Sequence, residues 1–142
     1  MCTWTRLGAG PLAILVAMVG FGCTSDNVEL FSPPVDCLDS KPATGHLTIE
    51  ITLNAKNPRV PIEVYEGSIE DGRLVRSDSA AVAQFSYELP VDHTYAVIAR
   101  YLVGQDTVLA IGSDDITTYQ TDYESGFCWE LTNGKVDVRL KL

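Results

Sequence analysis

Hydrophobic and polar residues alternate with a period of two through most of the chain after residue 45. In residues 47–53 every odd position is Leu or Ile and every even position is Thr or Glu. Because successive side chains of a β-strand point to opposite faces, this run predicts a strand with one buried face. Shorter runs of the same kind predict strands at residues 60–64, 73–76, 85–89, 107–111, 127–131 and 136–142.

The longest apolar run, residues 93–103, carries hydrophobic side chains at odd and even positions alike. This pattern predicts a strand in the middle of a sheet, buried on both faces. Its inward row is expected to be Tyr95, Val97, Ala99 and Tyr101.

Turn residues join several of these runs. The sequence Gly104-Gln105-Asp106 predicts a tight turn from the central strand into residues 107–111, and Asn133-Gly134 predicts a hairpin between residues 127–131 and the last strand. Residues 114–126 are polar with scattered aromatics, so they are expected to form a long loop or an irregular edge. No helical period of 3.6 is sustained after residue 22, and seven or eight short strands are typical of a sandwich. The predicted fold class is therefore all-β, an antiparallel β-sandwich of about seven strands.

The N-terminal residues 1–22 have the composition of a secretory signal. Arg6 supplies the positive end, residues 12–19 are apolar, and small residues precede Cys23. At 1.5 Å per helical residue the apolar run is too short to cross a hydrocarbon core of about 30 Å. An ordinary signal peptide cleaved nearby is the alternative to a lipoprotein signal.

The residues Val19-Gly20-Phe21-Gly22-Cys23 resemble a bacterial lipobox, in which a small residue precedes the cysteine that becomes lipidated. The resemblance implies cleavage after Gly22 and acylation of Cys23, although Gly20 and Phe21 depart from the usual occupants. Two or three acyl chains suffice for stable membrane anchoring. The expected organisation is a signal peptide at 1–22, a lipidated cysteine and tether at 23–44, and a β-sandwich domain at 45–142. The expected location is the cell envelope, at the outer membrane.

The remaining cysteines form one pair. Cys2 leaves with the signal and Cys23 carries lipid, which leaves Cys37 and Cys128. Export through an oxidising compartment favours a disulfide between them. The alternative is two free thiols in a reducing compartment.

The acidic balance narrows the choice of partners. The chain has 10 Lys and Arg and 19 Asp and Glu, and Arg6 is the only charged residue of the signal, so residues 23–142 carry a net charge of 9 − 19 = −10. Such a field repels the phosphates of nucleic acid and anionic lipid headgroups. We therefore expect no nucleic-acid partner, and a membrane association that runs through the lipid anchor.

Three strand segments resemble those of transthyretin-like or carboxypeptidase-regulatory-like sandwich domains. They are Val60-Pro61-Ile62-Glu63-Val64-Tyr65-Glu66-Gly67, Phe85-Ser86-Tyr87-Glu88-Leu89-Pro90 and Thr94-Tyr95-Ala96-Val97-Ile98-Ala99. The resemblance covers residues 45–112 and implies a prealbumin-like fold with an accessory or binding role. It brings no catalytic residues. An immunoglobulin-like sandwich of different topology is the alternative.

Residues able to carry chemistry are sparse. His46 and His93 are the two histidines, and they do not supply the four ligands of a structural zinc site. Four acids of the expected polar loop lack the spacing of a calcium loop: Asp114, Asp115, Asp122 and Glu124. Ser113 lacks the Gly-x-Ser-x-Gly context of a hydrolase nucleophile. We therefore expect no catalytic residue, no metal and no cofactor.

Aromatic residues near the expected polar loop are the better candidates for binding. Tyr119 and Tyr123 are candidates to contact a sugar or a protein, whereas Phe127 and Trp129 are expected to pack in the core beside the disulfide. The expected function is a lipid-anchored, non-catalytic envelope protein that binds or scaffolds another envelope component, either a protein or a glycan. A carbohydrate- or small-ligand-binding module is the alternative, and an envelope hydrolase ranks below both.

Overall fold

The computed structural model describes residues 37–123 and 126–141, without the side chain of Tyr123. The predicted signal peptide and Cys23 lie outside the described residues. The described chain forms eight β-strands and no helix. They are β1 (Thr44–Glu50), β2 (Val60–Glu66), β3 (Arg73–Ala80), β4 (Gln84–Pro90), β5 (His93–Val103), β6 (Asp106–Tyr123), β7 (Gly126–Thr132) and β8 (Gly134–Asp137).

The strands form two sheets, so the predicted all-β sandwich is confirmed. The smaller sheet has the order β4-β1-β8, and the larger has the order β3-β2-β5-β6-β7. All strand pairs are antiparallel except β1 with β8, which run parallel. Strand β5 lies third in the five-stranded sheet, in the central position that its two apolar faces predict.

The core is formed by the facing rows of the two sheets. In β5 the predicted inward residues Tyr95, Val97, Ala99 and Tyr101 are all fully buried. Leu47 and Ile49 of β1 face them from the smaller sheet and are equally inaccessible. Burial of apolar surface stabilises the fold by roughly 25 cal/mol per Å², so these alternating rows are what make the two sheets pack.

The polar loop expected at residues 114–126 is wrong, because β6 continues as a strand to Tyr123. Its second half pairs with β7 from Thr117 opposite Thr132 to Tyr123 opposite Gly126. Thr and Tyr favour the extended conformation even where they are exposed, because their side chains fit a pleated surface. The polarity of the segment reflects its exposure and says little about its backbone.

The hairpin expected at Asn133-Gly134 is also wrong, because the chain crosses there from one sheet to the other. Strand β7 ends at Thr132 in the larger sheet, and β8 begins at Gly134 in the smaller one, parallel to β1. The Asn133 Oδ1 accepts a hydrogen bond of 2.8 Å from the backbone N–H of His46. A Cβ at Gly134 would lie 2.7 Å from the Leu47 side chain, so glycine is required there for close packing.

The disulfide between Cys37 and Cys128 is present, with Cα atoms 5.3 Å apart. It ties the start of the described chain to β7, where Leu38 and Trp129 exchange two backbone hydrogen bonds of 3.0 Å. The prediction that Phe127 and Trp129 pack in the core beside the disulfide is wrong for Phe127, which is 55% exposed. Trp129 is half-buried, with the Lys41 ammonium 5.4 Å from its ring centre.

Asp92 organises the turn between β4 and β5. It has a left-handed backbone with φ of 62°, which Asp tolerates better than most residues. Its carboxylate accepts hydrogen bonds from the N–H and hydroxyl of Thr118 and lies 2.6 Å from the Lys41 ammonium. One side chain thereby joins the turn, β6 and the segment before β1.

The contacts of Asp92 make a pH-dependent contribution to stability. The hydrogen bond from Lys41, followed by those from Thr118, lowers the pKa of Asp92 from 3.8 to about 2. A carboxyl group with a lowered pKa stabilises the fold above its unfolded pKa, and the contribution is lost as pH falls through the folded pKa. At neutral pH we expect the melting temperature of wild type to be higher than that of Asp92→Asn. The difference between the two melting temperatures should shrink between about pH 4 and pH 2. Asp71→Asn, in an exposed turn, is the control. A difference that stays constant with pH would contradict this assignment.

Candidate functional site

The first half of β6 has a strand neighbour on one side only. Residues Asp106 to Ile116 pair with β5, whereas β7 pairs with β6 only from Thr117 onward. In the part of the chain that the structure describes, no backbone hydrogen bond is made from the other side of residues 106–113. Half of the backbone N–H and C=O groups of this segment therefore point to an open sheet edge.

The open segment lacks the features that keep sheet edges from pairing. Residues 107–113 read Thr-Val-Leu-Ala-Ile-Gly-Ser, with no charge and no proline. Charged side chains, prolines, bulges and covering segments are the usual means by which a sheet edge is blocked. An uncharged segment of high β-propensity on an open edge is a ready template for another strand.

The other described edges carry such protection. Strand β3 has three charged residues and a register shift in its pairing with β2, and β4 contains Glu88 and Pro90. Strand β7 is bridged by Leu38 at Trp129 and carries Glu130. Strand β8 is four residues long and includes Lys135 and Asp137. The contrast singles out the first half of β6 as the edge of the described fold that is left able to pair.

Exposed aliphatic side chains lie beside this edge, on the face of the sheet that points away from the core. Leu109 is 47% exposed and Ile111 is 58% exposed. The strand register places Leu109 opposite Arg100 and Ile111 opposite Ile98. Leu102 lies one step diagonally from Leu109 and is also exposed. Together Leu102, Leu109 and Ile111 form what we call the outer aliphatic patch.

A groove of about 200 Å³ runs along the edge, between β6 and the C-terminal segment. Residues 108–111 form one wall, and Asp137, Arg139, Leu140 and Lys141 form the other. The inward-facing Val108 and Ala110 are only half-buried, so the core is accessible at this margin. The two sheets meet at this groove. Among the described residues, no backbone hydrogen bond joins the sheets there.

A buried tyrosine holds the C-terminal wall of the groove in place. The Tyr101 hydroxyl donates a hydrogen bond of 2.8 Å to the Val138 carbonyl and accepts one of 3.0 Å from the Thr52 N–H. The Thr52 hydroxyl in turn accepts a hydrogen bond of 3.1 Å from the Leu140 N–H. Burial raises the pKa of Tyr101, which keeps its hydroxyl protonated and able to donate. We call these three contacts the Tyr101 clamp.

The opposite margin of the sandwich is closed. The Tyr87 hydroxyl of β4 donates a hydrogen bond of 3.0 Å to the Asp78 carboxylate of β3, and the Arg76 guanidinium lies 4.9 Å from the centre of the Tyr87 ring. Burial, followed by the bond to Asp78, raises the pKa of Tyr87 to about 12. A polar cluster therefore spans the two sheets here, whereas the β6 margin has a groove.

The C-terminal wall concentrates positive charge in an acidic protein. Lys135, Arg139 and Lys141 are three of the nine basic residues in 23–142. Asp137 and Glu50 partly balance them, with Asp137 accepting two side-chain hydrogen bonds of 2.9 Å from Arg139. These bonds hold the pKa of Asp137 below its usual range. Arg139 and Lys141 remain largely exposed, so the wall presents cationic groups to the groove.

The predicted contact residues lie on the other half of β6. Tyr119 is 49% exposed, and its hydroxyl donates a hydrogen bond of 2.7 Å to Glu130 on β7. Tyr123 ends the strand opposite Gly126, and its side chain lies outside the described residues. The structure places both residues on a paired part of β6, separate from the open edge.

The candidate catalytic residues Ser113, Asp114 and His93 do not form a catalytic arrangement. Ser113 and Asp114 are neighbours on one strand and therefore point to opposite faces of the sheet. The Asp114 carboxylate accepts a hydrogen bond of 2.7 Å from the Lys135 N–H, which gives it a structural role at the start of β8. His93 is paired in register with Ile116 and lies 3.3 Å from Glu66. His46 is the third residue of β1 and His93 is the first residue of β5, so the two histidines lie in different sheets.

The described residues contain no group of three or more His, Cys, Asp and Glu side chains arranged to hold a metal ion. They also contain no helix that is long and apolar enough to cross a membrane. Cys23, the predicted lipidation site, lies outside the described residues.

The sequence contained part of the signal for this site. Residues 107–111 are predicted as a strand, and the uncharged run to Ser113 is visible in the alternation. The open edge itself could not be predicted, because the expected hairpin would have placed β7 and β8 side by side in one sheet. In comparisons with known proteins, no protein-family model, curated protein or solved structure matches the chain.

Proposed function

We propose that this protein is a lipid-anchored, non-catalytic module of the cell envelope that docks another envelope component at the open edge of β6. The observation that carries the proposal is the uncharged edge at residues 107–113, flanked by the outer aliphatic patch and the groove. A stable exported domain that leaves such an edge open has a surface suited to pairing with a partner. The resemblance to transthyretin-like domains supports the same reading, since it implies an accessory or binding role.

The proposed anchor limits where the partner is found. Cys23 and Cys37 are separated by 14 residues of sequence, a length of chain that spans at most about 50 Å when extended. A domain held within that distance of a membrane surface meets other envelope proteins at a high effective concentration. The acidic domain is then kept near the membrane by lipid, without electrostatic attraction to anionic headgroups.

Replacing the proposed lipid site tests the anchor. Cys23→Ser should abolish metabolic labelling with a fatty-acid probe and move the protein from the membrane fraction to the soluble fraction, because no acyl chain remains. Labelling and cell fractionation of wild type and variant measure this directly. Ser25→Ala, two residues further along, is the matched control and should change neither readout. Membrane retention of unlabelled Cys23→Ser would contradict the anchor.

Substitutions on β6 and on the edge strand β3 of the larger sheet test the docking surface. Ile111 on β6 and Leu74 on β3 are both about half exposed, so Ile111→Lys and Leu74→Lys make comparable changes in charge and surface. Cross-linked pull-downs of the lipidated protein from its own envelope should lose a stoichiometric component in Ile111→Lys and keep it in Leu74→Lys. Equal recovery with both variants would contradict docking at β6.

A carbohydrate-binding module is the second candidate, favoured by the exposed ring of Tyr119. Aromatic faces stack on sugars, and this ring is held in position by its hydrogen bond to Glu130. In the same pull-down this candidate predicts a glycan that is lost in Tyr119→Ala and retained in Ile111→Lys.

A further inference from the structure

We propose that the β6 edge receives an extended segment of a protein partner as an added β-strand, and that this segment combines alternating aliphatic side chains with a carboxylate facing Arg139 and Lys141. The inference rests on the proposed function, because it assumes that the β6 edge is the docking surface. It adds the binding mode and the chemistry of the occupant.

The backbone of the edge determines the binding mode. Residues 106–116 form eleven consecutive register pairs with β5, from Val103 opposite Asp106 to His93 opposite Ile116, with no register shift. Their outward N–H and C=O groups are therefore regularly spaced along the edge. An extended chain pairs with such a row through main-chain hydrogen bonds, while a helix or a compact ligand leaves most of the row unpaired.

The side chains of β6 determine what the added strand presents on its two faces. On the outer face its side chains would lie next to Leu109 and Ile111, both about half exposed. On the inner face they would lie over the groove, beside the half-buried Val108 and Ala110. Cross-strand neighbours on one face of a sheet contact each other, so aliphatic residues of the partner bury apolar surface here.

The charge of the groove determines the polar residue of the partner. The wall facing the inner side of the added strand carries Arg139 and Lys141, whose side chains are 55% and 78% exposed. Arg139 and Lys141 share the Asp137 carboxylate, which accepts two hydrogen bonds from Arg139 and lies 3.6 Å from the Lys141 ammonium. Lys141 is the more exposed of the two and makes the longer contact, so it is the cation better placed to meet a new carboxylate. A carboxylate on the partner is favoured by this local charge even though the protein as a whole is acidic.

A second copy of the chain is a poorer occupant. If β6 strands of two copies paired antiparallel along the whole uncharged run, Asp106 of each copy would lie opposite Asp114 of the other. Like charges directly opposite each other destabilise a strand pair. Residues 23–142 carry a net charge of −10, so two copies also repel one another. The edge therefore favours a different chain.

The test uses the detergent-solubilised lipidated protein and a synthetic peptide. In the peptide, Val and Ile alternate with Thr, and a Glu stands at each end. A second peptide replaces the central Thr by Pro, which removes a backbone donor, and a third replaces both Glu by Lys. Fluorescence anisotropy measures affinity, and amide hydrogen exchange locates the bound segment. We expect the first peptide to slow exchange in residues 106–113 and to leave β3 unchanged, and the Pro peptide to bind at least about ten-fold more weakly.

Protein variants separate the contributions of the edge and the charge. Ile111→Lys should lower the affinity for the first peptide about ten-fold, while Leu74→Lys should leave that affinity unchanged. Lys141→Glu should lower the affinity for the Glu peptide about five-fold and raise the affinity for the Lys peptide. The change is modest because an exposed ion pair contributes little to binding. Lys56→Glu, an exposed lysine on the β1–β2 turn, is the control for net charge and should have less effect on either peptide.

Several outcomes would overturn the inference. Equal binding of the Pro peptide would exclude strand addition, and equal binding of the Glu and Lys peptides would exclude the acidic partner. Slow exchange of the outward-pointing amides of residues 106–113 in the free protein at all concentrations would mean that this chain covers its own edge. Protection of these amides that increases with protein concentration would show that a second copy occupies the edge.

The same data separate this inference from the proposed function. If no peptide binds while the envelope component is still lost in Ile111→Lys, docking at β6 stands and strand addition fails. If Ile111→Lys retains the envelope component, the proposed function fails whatever the peptides do.

Discussion

Removing the disulfide with Cys37→Ser and Cys128→Ser is expected to lower the free energy of unfolding by about 4 kcal/mol, the largest effect of any change considered for this protein. The bond closes a loop of 91 residues, most of the domain. A closure of that length removes much conformational freedom from the unfolded chain. Urea denaturation of the double variant and wild type, followed by tryptophan fluorescence, measures the difference.

Reduced wild type is the control for the double variant and should unfold at the same urea concentration. The two serines should also release the segment around Leu38, whose backbone bridge to Trp129 covers the edge of β7. Faster amide exchange at Trp129 would report that release. A loss of stability below about 1 kcal/mol would contradict the assignment of the disulfide as the main covalent constraint on the domain.

Tyr101→Phe is expected to lower the free energy of unfolding by about 2 kcal/mol, because it leaves the Thr52 N–H and the Val138 carbonyl without their hydrogen-bond partner. The ring itself is retained, so the packing of the fully buried side chain is nearly unchanged. The same substitution opens the Tyr101 clamp, and amide exchange of residues 138–141 should become faster. Urea denaturation and hydrogen exchange measure the two effects.

Tyr95→Phe is the matched control, since Tyr95 is also fully buried and its hydroxyl donates one hydrogen bond of 2.8 Å to the Pro90 carbonyl. It should cost about 1 kcal/mol, with no change in the exchange of residues 138–141. Equal effects of the two substitutions on that segment would show that the Tyr101 hydroxyl does not hold the groove wall.

The Tyr101 clamp links stability to the proposed docking surface. The wall that carries Arg139 and Lys141 is connected to β5 through Val138, and to the segment after β1 through Leu140 and Thr52. Tyr101→Phe should therefore weaken binding of an acidic strand even though it removes no exposed group. A surface supported by buried hydrogen bonds loses less entropy on binding than a flexible one.

Periodicity in the sequence was a reliable guide wherever one face of a strand is buried. The inward row of β5 and the alternation of β1 follow from the requirement that apolar side chains leave water, which depends on local order alone. The cysteine pair followed from counting, because two of the four cysteines have other predicted fates. These features needed no knowledge of which strand lies beside which.

The errors arose where the partner of a segment decides its structure. Thr117 to Tyr123 look like a polar loop until β7 provides a backbone to pair with. Asn133-Gly134 has the sequence of a hairpin turn, but it serves to bring Gly134 against Leu47 in the other sheet. Phe127 is apolar yet exposed, because its neighbour Cys128 is fully buried and successive side chains of a strand point to opposite faces of the sheet.

From the sequence alone, the strand-forming segments, the all-β class and the cysteine pair could be determined, because each depends on residue type and spacing along the chain. Only the tertiary structure decided that β8 joins β1 in the smaller sheet, that β7 covers just the second half of β6, and that a groove with a cationic wall lies beside the uncovered half. The physical reason is that a sheet edge is a relation between distant segments. Whether a strand is free to pair depends on where the rest of the chain runs, and no local pattern records it.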